Sequence, residues 1–133
     1  MSPTPRLTQL TPVLIVEKVE PCLAFWVERL GFVSENHVPG EGGLVFASLK
    51  KDGIEIMYQT RASVVADAPA MAKDLDGHSI TLFITVDDLD AVEKALAGAP
   101  VMKARHKTFY GSEEIYVWEP GGNTVGFAQM GAG

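Results

Sequence analysis

Cysteine is nearly missing from this sequence. A single one, Cys22, stands among 133 residues, so no internal disulfide can form and no multi-cysteine metal site is available. Long apolar runs of the kind that cross a bilayer are missing too. The opening ten residues, MSPTPRLTQL, hold no apolar signal core. The expectation is a cytoplasmic protein without a membrane partner. Positive charge is scarce, with 11 Lys and Arg against 17 Asp and Glu and a formal net charge of −6. Nucleic-acid binders carry a basic patch, and here the densest basic runs, Lys50-Lys51 and KARHK at 103–107, read as a solvated turn and a strand edge. No nucleic-acid partner is expected, and the acidic balance suits a cationic small molecule. The sequence also lacks a phosphate-binding loop, a GxGxxG fingerprint after a strand and a nucleophile elbow.

What remains is ordinary globular composition, 47% hydrophobic and 21% charged. The length fits one domain, 1–133, with a substantial core. Within it lies an internal repeat. LTPVLIVEKVE at 10–20 and ITLFITVDDLD at 80–90 align at an offset of 70 residues, which places Thr11 on Thr81, Val16 on Val86 and Glu20 on Asp90. At an offset of 69, His37 falls on His106 and Gly42 on Gly111. At an offset of 71, Glu55 falls on Gly126 and Ile56 on Phe127. Each half reads as strand, acidic turn, helix and three further strands. In the first half the strands lie near 10–16, 32–38, 44–50 and 54–60, with a helix over about 20–30 that carries Val19, Leu23, Trp26, Val27 and Leu30 at helical spacing. Asp52-Gly53 marks a hairpin. In the second half the strands lie near 79–86, 100–105, 112–118 and 123–129, with a helix near 88–97. Module one thus spans about 7–60 and module two about 79–130. Between them, 61–78 is an Ala-rich connector with one short helix.

The fold class is therefore α+β: two βαβββ modules that form a curved mixed sheet, with the helices on the outer face and a cleft on the inner one. Alternation assigns the faces. Leu14 and Val16, Ile56 and Tyr58, and Leu82 and Ile84 pack under the helices. Thr11, Val13, Ile15, Glu55, Met57, Gln59, Thr81, Phe83 and Thr85 turn to the cleft. In the strand SEEIYVW, Ile115 and Val117 pack, while Glu114, Tyr116 and Trp118 turn to the cleft.

Four segments carry a family resemblance: VEKVEPCLAFWVERLGF (16–32), DGIEIMYQ (52–59), ITVDDLDAVEKAL (84–96) and FYGSEEIYVWEPGGN (109–123). With the paired modules, the chain from Leu7 to Gln129 resembles the vicinal oxygen chelate superfamily of glyoxalases, bleomycin-resistance proteins and extradiol dioxygenases. The resemblance implies four inward metal-ligand positions, one on the first and last strand of each module, which map to Thr11, Glu55, Thr81 and Gly126. A transition metal needs about three protein ligands and Thr hydroxyls are poor ones. The expectation is a retained scaffold with no metal and no cofactor. The resemblance also implies a homodimer, domain-swapped or side by side.

The candidate ligand-binding residues are Glu55, Met57, Gln59, Phe83, Tyr110, Glu114, Tyr116 and Trp118. Glu55 can pair with a cation on the ligand, act as a general base, or form a structural pair with an arginine such as Arg61 or Arg105. His37, His78 and His106 lack ligand spacing and read as exposed polar residues, although the repeat equivalence of His37 and His106 favours a place for these two beside the cleft. Cys22, beside Pro21 and without a basic neighbour, reads as packing. Two functions stay open. One is a metal-free binding protein of the bleomycin-resistance type that sequesters a drug or metabolite through aromatic stacking and charge pairing to Glu55 or Glu114. The other is a glyoxalase-like lyase, isomerase or dioxygenase, either metal-dependent through other ligands or metal-free with Glu55 as the base.

Overall fold

The computed structural model describes residue 4 and residues 9–74 and 80–131. His78 lies outside the described residues. The element order matches the repeat. Module one runs β1 (Val13–Val16), α1 (Glu20–Ala24), β2 (Val33–Gly40), β3 (Gly43–Lys51) and β4 (Ile54–Thr60). Module two runs β5 (Thr81–Thr85), α3 (Leu89–Ala95), β6 (Val101–Lys107), β7 (Ser112–Trp118) and β8 (Thr124–Met130). The connector forms α2 (Arg61–Asp67) and a 3-10 turn (Pro69–Asp74). The eight strands make two four-stranded mixed sheets, in the order β1-β4-β3-β2 and β5-β8-β7-β6. In each, the first strand pairs with the last in parallel and the remaining pairs are antiparallel.

Local chemistry sets these boundaries. Asp52 and Gly53 have φ of 50° and 81°, the pair of positive values that a two-residue type I′ hairpin requires. Thr60 caps α2 by accepting from Ser63 N at 3.2 Å, and Asp88 caps α3 by accepting from Ala91 N at 3.1 Å. The first helix is less regular than its spacing predicts. After five α-helical residues, Phe25–Arg29 widen into a π-helical turn. Gly31, at φ 74°, then ends the helix. Lys51 Nζ donates to Leu30 O there at 2.7 Å.

The predicted alternation is met. Leu14, Val16, Ile56 and Tyr58 of the first sheet and Ile115, Val117, Val125 and Phe127 of the second are buried. They join with Trp26 of the π-helical turn and Leu89 of α3 in one continuous core. α1 packs on β3, and α3 packs on β7 and β8. The opposite faces, away from α1 and α3, carry Glu55, Met57, Gln59, Glu114 and Tyr116. Two polar links fasten the modules. Arg29 Nη1 donates to Ala97 O at 2.6 Å, closing the end of α3. Inside the core, Trp26 Nε1 donates to Tyr58 Oη at 2.9 Å, and Tyr58 Oη donates to Glu119 Oε2 at 2.5 Å.

Candidate functional site

On the helix-free face of module one, β4 presents Glu55, Met57 and Gln59, each partly buried. Glu55 Oε1 accepts from Gln9 Nε2 at 2.7 Å and from Thr11 Oγ1 at 3.4 Å. Its other oxygen lies 3.7 Å from Lys50 Nζ, which also approaches Glu35 at 3.9 Å. Lys50, directly opposite Glu55 across the ladder, is therefore its cation. Arg105 is held elsewhere, by Asp90, Glu93 and Glu113 at 2.7, 3.2 and 3.0 Å. Gln59 Nε2 turns to Ser63 Oγ at 3.0 Å. Glu55 and Phe83 border a common groove of 330 Å³ with Leu10 and Pro12.

Module two holds a more concentrated polar group. Glu114 is only 1% exposed, because β7 aims it at the helix-free face while the β6–β7 turn folds Tyr110 back over it. Its carboxylate accepts from Tyr110 Oη at 2.5 Å, Ser112 Oγ at 2.7 Å and Tyr116 Oη at 2.9 Å. Burial opposes its charge, yet these three hydrogen bonds and the nearby His106 ring outweigh burial and hold its pKa below the ordinary 4.5. The carboxylate acts in return on the phenols. Burial and then Glu114 push Tyr116 up to about 12, and the bond to Glu114 followed by burial raises Tyr110. His106 stands opposite Glu114 in the β6–β7 register and stacks on Tyr116, with centroids 6.3 Å apart and planes at 20°.

Of the sequence-predicted residues, Tyr110, Glu114 and Tyr116 are thus brought together. Trp118, at the end of β7, makes no ring contact with either tyrosine and also borders a groove with Pro21, Ala24 and Phe25. Sequence reasoning missed Ser112 and Thr108, whose hydroxyls lie 2.8 Å apart beside the Glu114 carboxylate. Ser112 was within reach, two residues before Glu114 on the same face. For His106 only its repeat equivalence with His37 pointed to the cleft, because two register shifts in β6 hide which residue faces Glu114. His37 lies in the bulged part of β2, hydrogen-bonded to Ser34 Oγ.

Strand register corrects one mapped position. Val13 pairs with Met57 and Phe83 pairs with Gly126. With Val13 and Phe83 equivalent in the repeat, Gly126 corresponds to Met57, and the residue corresponding to Glu55 is Thr124, directly paired with Thr81. The four positions are therefore Thr11, Glu55, Thr81 and Thr124. Thr81 and Thr124 bond to each other through their hydroxyls at 2.7 Å. One carboxylate and three hydroxyls do not suit a divalent transition metal. Among the described residues no three His, Cys, Asp or Glu side chains cluster as a metal-binding group. Gly126 has its own use: a Cβ there would lie 2.3 Å from Tyr116 Cε2, so its bare backbone is what lets the Tyr116 ring settle across β8.

A family model of the Glyoxalase/Bleomycin resistance protein/Dioxygenase superfamily matches residues 6–127. The chain belongs to that superfamily. An uncharacterized protein of Mycobacterium bovis is 30% identical over 118 residues, covering 86% of this chain and 78% of that protein. Among solved structures, a superfamily member from Nocardioides superposes with a TM-score of 0.75 at 15% identity, covering 98% of this chain and 88% of that one. A lactoylglutathione lyase from Agrobacterium tumefaciens gives 0.73 at 19% identity, covering 94% and 95%. The bleomycin-binding protein from Streptomyces verticillus, solved with copper(II)-bleomycin, gives 0.64 at 22% identity, covering 98% and 99%. At these identities the superfamily likeness in structure speaks for the fold alone. No helix among the described residues is long and apolar enough to cross a membrane.

Proposed function

We propose that this chain is a metal-free binding protein of the cytoplasm that sequesters a cationic small molecule, a drug or metabolite, on its helix-free sheet faces. One observation carries the reading: Glu114 is buried, ionised and ringed by Tyr110, Ser112 and Tyr116, and among the described residues no Lys or Arg pairs with it. Buried charges are normally paired, and a cationic ligand stacked on the tyrosines would supply the partner. A bleomycin-binding protein with this fold, from Streptomyces verticillus, is in keeping with small-molecule binding. Phe83, Met57 and Glu55 extend the surface. Glu55, tied to Gln9, Thr11 and Lys50, is the weaker candidate both for ligand pairing and for a general base. Calorimetric titration with a cationic aromatic probe such as benzylammonium tests the assignment. Glu114→Gln keeps the shape and removes the charge, and should weaken binding about ten- to a hundredfold. Glu55→Gln should change it by less than about threefold, since Lys50, Gln9 and Thr11 already occupy that carboxylate. The opposite ranking would move the site to module one.

The helix-free faces also leave apolar surface in water. Val13 is 44% exposed, Phe83 48% and Tyr110 53%. Among the described residues the outer strands β1, β2, β5 and β6 pair with a strand on one side only. Such surface is normally covered, and we propose that a second copy of the chain covers it in a homodimer. Light scattering at micromolar concentration should give twice the chain mass, and the mass of one chain would count against the dimer.

A further inference from the structure

The hydrogens of the Glu114 cluster can be assigned one by one. An ionised carboxylate only accepts, so Tyr110, Ser112 and Tyr116 each spend their single hydroxyl hydrogen on Glu114. Ser112 Oγ lies 2.8 Å from Thr108 Oγ1. Its own hydrogen being used, it accepts from Thr108, whose oxygen in turn accepts from Ser112 N at 3.1 Å. His106 Nδ1 lies 2.8 Å from Ala104 O. A carbonyl only accepts, so Nδ1 carries a proton there.

Every hydroxyl hydrogen in the group is therefore spent within it, and what a ligand meets at the phenol oxygens is lone pairs. These belong to the two phenol oxygens, and the Tyr116 ring stacks on that of His106. Tyr110, 53% exposed, leaves the array open to solvent. Lys103, across the ladder from Tyr116, makes no hydrogen bond or ion pair to the cluster, so the lone pairs are left for an external donor.

We infer that this cluster selects its ligand by N–H donors: it takes protonated amines, amidines or guanidines and discriminates against quaternary ammonium ions of the same charge. The inference rests on the binding reading above and narrows its ligand class. A general cation site of aromatic rings accepts quaternary ammonium groups through their charge. An acceptor array differs, because a trimethylated nitrogen brings no hydrogen to it and leaves the lone pairs desolvated and unmatched.

Benzylammonium and benzyltrimethylammonium carry the same charge and ring and differ in N–H donors. Titrated separately into the intact protein at neutral pH, with the His106 and Tyr116 ring resonances followed by NMR, benzylammonium should bind about ten- to a hundredfold tighter. That preference should shrink several-fold in Tyr116→Phe, which keeps the ring over Gly126 and removes one acceptor. Equal affinities in the unaltered protein would overturn donor selection and leave a charge-reading cation site standing. A preference that persists undiminished in Tyr116→Phe would overturn the assignment to this cluster. Failure of both probes to bind would overturn the selection and the cationic-ligand function together.

Discussion

Glu119→Ala should destabilise the protein by about 3–5 kcal/mol, with a fall in melting temperature of roughly 10–20 °C for a domain of this size. Glu119 is 2% exposed and lies in the turn between β7 and β8. Its Oε1 accepts from Asn123 N at 2.6 Å and Asn123 Nδ2 at 3.1 Å, and its Oε2 accepts from Tyr58 Oη at 2.5 Å. Truncation strands buried donors on both modules at once, and each costs about 1–3 kcal/mol. Tyr58 and Trp26 are both fully buried. Burial, followed by the Glu119 carboxyl beside it, raises the pKa of Tyr58 far above its ordinary value, so the phenol remains a donor. Tyr58→Phe should cost less, because it keeps the ring in the core. Urea unfolding of Glu119→Ala, Tyr58→Phe and the double variant measures the coupling. A Glu119→Ala loss below about 1 kcal/mol would show that the turn relaxes and that the inter-module link contributes little.

This turn also shows where sequence reading stops. The segment EPGGN reads correctly as a turn, since Pro and Gly determine its backbone. Nothing in the segment tells that its first residue points inward. That depends on Tyr58, 61 residues earlier in the chain, offering a hydroxyl from the other module. Strand faces, by contrast, were legible wherever one face is apolar. In β4, Ile56 and Tyr58 alternate with Glu55, Met57 and Gln59, and the structure keeps that alternation. In β7 the same logic brought Glu114 and Tyr116 to one face. It could not reveal that Tyr110, in the preceding turn, closes over them. The offset that matched Glu55 with Gly126 followed sequence likeness, whereas the parallel pairing of β8 with β5 makes Thr124 the counterpart. Backbone register is a long-range property, and a shift of two residues preserves the face and so leaves the apolar pattern unchanged.

Gly126→Ala should produce the other large effect, even though the substitution adds one methyl group. That methyl would meet Tyr116 Cε2, Cδ2 and Cζ at 2.3, 2.7 and 2.8 Å. Contacts this short force the ring off β8, and overpacking of this kind costs about 1–3 kcal/mol. The ring carries the Tyr116 hydroxyl away from Glu114, which then keeps two of its three donors. It also separates Tyr116 from the His106 ring. The expected result is a lower urea midpoint together with loss of the cationic probe's binding, from a residue that itself has no side chain to offer a ligand. Tyr116→Ser separates the causes, because removing the ring opens the space above Gly126. In that background Gly126→Ala should cost less than about 0.5 kcal/mol, the usual size for a substitution without a packing conflict. An equal cost in both backgrounds would place the conflict in the β8 backbone and remove Gly126 from the construction of the Glu114 site.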